Sequence, residues 1–200
     1  MLQWGEVLSG EYPNQRQKGA MFALRLLSAV NLLNYADRYV SAAVKSQLQS
    51  SLNLTDFETT LPNTGMVIVF MVFAVLFGQL SDKDVADRRL LLALAVAFWS
   101  IATGLAALSI SLSDLIIYRS LVGVGEAAYG TIAPPLIFDF FPLWDRNIAY
   151  GVYYLAVPVG AAFGFSIGGL FAELFGWRWA FIACGVPGIL TAFTILKLNE

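Results

Sequence analysis

Long apolar runs separated by short polar turns set the pattern of this chain. A membrane-crossing helix needs about 20 largely apolar residues, and six segments meet that length: residues 20–44, 62–80, 89–110, 114–139, 148–172 and 178–197. The pattern predicts an all-α membrane protein with a six-helix bundle over 20–197, a polar tail over 1–19, and the start of a central linker at 198–200. The stretch 45–61 is the only sizeable polar loop between spans. Within it, Leu54-Thr55-Asp56 leads into an amphipathic approach to the second span, with Pro62 near its start. The first apolar run follows Arg16 and Lys18 and is about twice as long as the core of a cleaved signal peptide, so it is expected to stay as a spanning helix.

Composition agrees with lipid as the solvent. Hydrophobic residues make up 58% of the chain and charged ones 13%, against roughly 45–50% and 25% in soluble domains. The net charge of −2 lacks the basic footprint of a nucleic-acid partner. There is no histidine, which removes the usual ligand of zinc and haem and the base of a Ser-His-Asp triad. No metal site is expected. The single cysteine, Cys184, lies in an apolar stretch and reads as a small packing residue.

Lysine and arginine mark the cytoplasmic side of a membrane protein. With the amino terminus inside, Arg16, Lys18, Lys83, Arg88, Arg89, Arg146 and Lys197 fall in cytoplasmic segments, and Lys45 and Arg178 opposite. Both termini are therefore expected in the cytoplasm. Arg25 is near enough to a helix end to reach the interface.

Arg38 and Arg119 lie deeper, as do Asp37 and Glu126. A charge near the bilayer centre costs about 2.5–3.5 kcal/mol on insertion scales and persists where it faces a bundle interior with a partner. At a rise of about 1.5 Å per residue, Asp37 in the first span and Arg119 in the fourth both sit about 7 Å from the midplane on the same side, so they can meet. Glu126 follows Arg119 by two turns and shares its face, with Gly123 between them. These charges suit either a static buried ion pair or a titratable site in which a proton replaces a cationic partner. Burial favours a neutral acid, and a guanidinium favours a charged one.

In the fifth span, Pro158, Gly160, Gly164, Gly168 and Gly169 put small residues on one face, for close packing or for a sliding interface. Pro134-Pro135 frees backbone groups in the fourth span and is expected to bend it. Between the second and third spans lies Gly78-Gln-Leu-Ser-Asp82-Lys83, followed by Asp87-Arg88-Arg89. This turn either merely satisfies topology or caps a helix and pairs with neighbouring acids.

That turn resembles the cytoplasmic signature Gly-x-x-x-Asp-Arg-x-Gly-Arg-Arg of the major facilitator superfamily. Gly78 and Asp82 match, Lys83 stands for an arginine, and Asp87 and two extra residues precede Arg88 and Arg89. Arg119-Ser-Leu-Val-Gly123-Val-Gly125-Glu126 is similar to the family's proton-coupling motif. Asn34-Tyr35-Ala-Asp37-Arg38-Tyr39, Thr131-Ile-Ala-Pro134, Tyr154-Leu-Ala-Val-Pro158-Val-Gly160 and Gly176-Trp-Arg-Trp-Ala-Phe181 resemble its Spinster-like branch. Organic-anion symporters of the same superfamily share the first- and fourth-span patterns.

The resemblance implies two six-helix halves that alternate access about a central site, with this chain as the amino-terminal half and a carboxy-terminal half as its missing partner. It implies a secondary transporter of lysolipid- or sphingolipid-like amphiphiles in a lipid bilayer, with protons as the coupling ion and no cofactor. Asp37, Arg119, Glu126, Asn34, Tyr35, Arg38 and Tyr129 would form the coupling site and cavity. Gly78, Asp82, Lys83, Arg88 and Arg89 would form the gate, and Gly123, Pro158, Gly160, Gly164 and Gly168 the packing positions. A pore-forming or structural membrane subunit lacks its polar stripe here. A membrane-embedded enzyme lacks histidine and a paired-acid metal motif, leaving only an aspartyl-type site open to it.

Overall fold

The computed structural model describes residues 16–81 and 87–198. Among them six long helices alternate in direction: α1 (Ala20–Ala43), α3 (Leu61–Ser81), α4 (Arg88–Ala106), α5 (Leu112–Phe140), α6 (Leu143–Phe175) and α7 (Trp177–Ile195). A short helix α2 (Lys45–Leu52) and a single 3-10 turn at Glu58–Thr60 occupy the expected loop 45–61, which is therefore a structured strap and not a plain loop. Its order is local. Gln49 Nε2 and Lys45 Nζ each reach the Asp56 carboxylate at 2.8 Å, and Glu58 accepts from the Thr55 amide and hydroxyl at 2.8 Å.

Local chemistry sets the helix ends. Asp87 caps α4, its carboxylate accepting from the Arg89 and Leu90 amides. Ser111 and Asp114 form a reciprocal capping box at the start of α5, which is why the third span stops at Ala106 and not at 110. Pro142, with extended backbone, fixes the start of α6. The polar residues Asp145-Arg146-Asn147 are thereby helical, and α6 is longer than the expected 148–172 at both ends. Gly176 closes α6 and opens α7 in a single residue at φ +93°, a region an L side chain resists. α5 runs on through Pro134 and Pro135.

Five of the six long helices are long and apolar enough to cross a membrane. The exception is α1, whose apolar content is diluted by Arg25, Asn31, Asn34, Asp37 and Arg38. Its packing explains how it keeps them, since it leans on α6 and α7 and buries Asn31, Asn34 and Asp37. The other principal pairings are α3 on α5, α4 on α5 and α7, and α6 on α7. Large apolar side chains such as Val75, Leu94, Ile101, Leu155, Leu190 and Phe193 point outward, as expected where the surrounding medium is hydrocarbon.

Lipid gives no hydrophobic drive to helix pairing, so close contact and polar bonds must supply it. Gly160 and Gly164 bring α6 against the backbone of Leu32 and Ala36 on α1, and Gly168 seats on Val40 and Ala43. Gly123 does the same for α5 against Met66 of α3.

The two ends of the bundle differ. Arg16 with Asp145, the Gln17 amide with the Phe140 carbonyl, Arg88 with Asp139, and Arg89 with the Leu198 carbonyl gather at one end, here the tail end. The strap 44–61 and the Arg178 bond to the Ser109 carbonyl mark the other, the loop end. One apolar cluster around Leu27, Val96, Trp99 and Ile137 lies towards the tail end, and another around Val40, Leu115, Trp177 and Phe181 towards the loop end. Along α1, α4 and α5 a polar layer lies between them.

Candidate functional site

That layer is built from consecutive residues that part company. Neighbours on an α-helix point about 100° apart, so Asp37 and Arg38 enter different clusters. Asp37 turns to α5 and α4. Arg119 Nη1 lies 3.1 Å from each of its carboxylate oxygens, and Thr103 donates to Oδ2 at 2.9 Å. Arg119 Nη2 also donates to the Asp37 carbonyl at 3.2 Å, and Asn63 Oδ1 of α3 lies 3.5 Å from it. Arg119 is wholly buried and Asp37 nearly so. A buried ion pair holds only if its remaining hydrogen-bonding capacity is met. Thr103 and the Asp37 carbonyl meet much of it here.

Arg38 turns to Glu126 instead, its Nη2 lying 2.8 Å from Oε2. The guanidinium stands over the rings of Tyr35 and Phe70, at 5.4 and 5.0 Å, so cation–π attraction supplements the ion pair. Arg38 keeps 26% of its side chain exposed, whereas Glu126 is sealed. The expected meeting of Asp37 with Arg119 is present, and the cation in contact with Glu126 is Arg38, not Arg119.

Arg38 and Glu126 line a cavity of about 160 Å³ with Asn34, Tyr35, Tyr129 and Tyr153. Tyr129 donates to the Leu27 carbonyl at 2.6 Å and meets Trp99 edge-on, tying α5 to α1 and α4. Asn31 donates to the Tyr153 carbonyl at 3.1 Å. The Asn34 amide nitrogen is buried without a partner among the described residues. Larger spaces exist elsewhere, but the one of about 450 Å³ between α3, α4 and α5 is lined by apolar side chains and carries no charge.

The structure brings Asn34, Tyr35, Arg38, Glu126 and Tyr129 around one cavity and sets Asp37 with Arg119 apart from it. Of the gate positions, Arg88 pairs with Asp139 at 2.7 Å and Arg89 with Asp87 at 3.0 Å, at the tail end; Gly78 lies in the last turns of α3. Asp82 and Lys83 lie outside the described residues. Pro158 sits within α6, two residues before Gly160. Sequence reasoning passed over Thr103, Asn63 and Phe70. A hydroxyl at mid-span is a signal, but an ambiguous one, because such a group also satisfies itself on its own helix, as Ser100 does on Val96.

Residues 27–200 match the Major Facilitator Superfamily profile. The chain is 36% identical over 180 residues to Protein spinster of Drosophila melanogaster, covering 90% of this chain and 29% of that protein. It is 35% identical over 187 residues to the sphingosine-1-phosphate transporter SPNS2 of Xenopus tropicalis, covering 90% and 35%. A solved bacterial homolog of the human lysosomal transporter Spinster, inward-facing and occupied, superposes with a TM-score of 0.86 at 26% identity, over 92% of this chain and 45% of that one. A D-xylose–proton symporter, at 16% identity and a TM-score of 0.71, shares the fold. The chain spans about a third of the length of the curated relatives it matches.

Proposed function

This chain belongs to the major facilitator superfamily, and from that membership we propose that it is the amino-terminal six-helix half of a proton-coupled carrier of lysolipid- or sphingolipid-like amphiphiles. On this reading it is a transporter component and not an enzyme, it works with a second six-helix half, and both of its termini face the cytoplasm. The observation that carries the reading is the contact of Arg38 with Glu126. The two charges touch at 2.8 Å at the wall of an aromatic cavity, with the acid sealed and the guanidinium partly exposed.

A pair held in this way is poised for exchange. A proton on Glu126 cancels its attraction for Arg38, leaving the guanidinium between Tyr35 and Phe70 and ready for an anionic headgroup. Loss of the proton restores the pair and expels the headgroup. The cavity of about 160 Å³ is smaller than the roughly 300–1,000 Å³ of a complete ligand pocket. It fits a headgroup, and the second half would complete the space for a tail. The amphiphile class is supported by the aromatic lining and by the relative named as a sphingosine-1-phosphate transporter.

The test is Glu126→Gln in the full-length carrier reconstituted in liposomes. The substituted side chain mimics the protonated acid, so substrate binding should survive while accumulation driven by a pH gradient is lost. Undiminished gradient dependence would show that the pair is structural.

A further inference from the structure

Ser41 lies one turn beyond Asp37 on α1, and its hydroxyl is buried with no hydrogen-bond partner among the described residues. A buried hydroxyl is costly unless bonded, and where the protein offers nothing, water is the usual partner. Ser41 lines a groove of about 490 Å³ between α1 and α3 at the loop end, where Lys45, Thr59, Thr60, Asn63 and Thr64 form a polar edge beside the apolar Val67, Ile68 and Met71. With roughly 30 Å³ for each water in the liquid, that volume holds a chain of waters and not just one. On the floor of the groove, Asn63 Oδ1 is 3.5 Å from Arg119 Nη2, and Arg119 holds Asp37. The groove shares no lining residue with the cavity of Arg38 and Glu126.

We propose that this groove is a water-filled route connecting the loop end to the Asp37–Arg119 pair, so that the two buried acids exchange protons through separate spaces. The inference rests on the proton-coupled reading given above. A hydronium ion in the groove gives its proton to an Asp37 carboxylate oxygen and becomes water. Arg119 stays charged and keeps the Asp37 carbonyl and Asn63 as partners. Asp37 faces its partner Arg119 from α5 and the Thr103 hydroxyl from α4, with Glu126 of α5 and Cys184 of α7 within electrostatic reach and Arg38 next to it in the chain. From α3 come the uncharged Asn63 and Met66, which contact Arg119. Lys45 at the mouth of the groove is already paired with Asp56, so it does not close the route by binding Asp37.

The experiment uses the full-length carrier in a cysteine-free background, in right-side-out and inside-out vesicles, with a membrane-impermeant cationic methanethiosulfonate. Asn63→Cys is expected to react from the loop-end side and not from the other, at a rate comparable with half-buried Thr59→Cys. If Thr59→Cys reacts and Asn63→Cys does not, or reacts only from the tail-end side, the route does not exist. A second variant, Val67→Trp, adds bulk at a residue that lines the groove. It should slow gradient-driven transport several-fold while substrate binding at fixed pH is retained, and a full rate would overturn the proposal. If the unaltered carrier shows no dependence on the gradient, proton coupling itself is wrong, and the labelling alone then decides whether the groove holds water.

Discussion

Arg119 Nη1 lies 3.1 Å from both carboxylate oxygens of Asp37, although α5 and α1 each lean mainly on other helices. Among the described residues, the pair is one of three polar links between these two helices, with Arg38–Glu126 and the Tyr129 hydroxyl on the Leu27 carbonyl. Removing one partner of a buried pair strands the other and typically costs about 3–5 kcal/mol, whereas apolar replacement of both is often neutral. Arg119→Ala should therefore lower the thermal midpoint of the detergent-solubilised carrier sharply, and Asp37→Asn should do so less. The double variant Asp37→Leu with Arg119→Leu should recover much of the loss. A double variant as unstable as the sum of the singles would mean that the pair has no mutual dependence.

Thr103 is expected to orient Asp37, since its hydroxyl donates to Oδ2 at 2.9 Å from a third helix. Thr103→Val keeps the shape and removes the donor, which leaves a buried acceptor short of one bond at about 1–3 kcal/mol. Thr103→Ser should restore both stability and the pH profile of transport. If serine and valine behave alike, the hydroxyl is incidental.

The packing of α6 on α1 should tolerate no methyl group at its tightest points. Gly160→Ala and Gly164→Ala would drive Cβ into the carbonyls of Leu32 and Ala36, and overpacking of this kind costs about 1–3 kcal/mol. Gly169→Ala meets nothing within 4 Å and serves as the control. Thermal unfolding of the three variants should separate the first two from the third.

Sidedness is open to direct labelling. Ser51→Cys in the strap should react with an impermeant thiol reagent in intact cells, and Asn147→Cys at the start of α6 should react only after permeabilisation. The reverse pattern would invert the orientation drawn from the basic residues.

The gate is expected to depend on charge more than on stability. Arg88 and Asp139 are partly exposed, and pairs of that kind contribute about 0–1 kcal/mol. Asp139→Asn should therefore leave the thermal midpoint nearly unchanged while slowing transport by the full-length carrier, and Asp82→Asn should slow transport likewise. Normal transport would remove both from the gate.

What the sequence determined by itself is what depends on local free energy. Hydropathy fixed the number and approximate bounds of the long helices, because each buried segment must satisfy its own backbone in hydrocarbon. The bounds moved where a cap took precedence over composition, at Ser111, Pro142 and Gly176. The rise of a helix placed Asp37 and Arg119 at one height, and small residues four apart marked the α6 face that meets α1. Only the tertiary structure decided which charge meets which. Asp37 and Arg38 are adjacent in the chain yet point about 100° apart, and the rotation of α1 against α5 and α6 sends one to Arg119 and the other to Glu126. Thr103, Asn63 and Ser41 gain their meaning in the same way, because a polar side chain's partner lies on another helix, and the crossing of two helices is set by the packing of all of them.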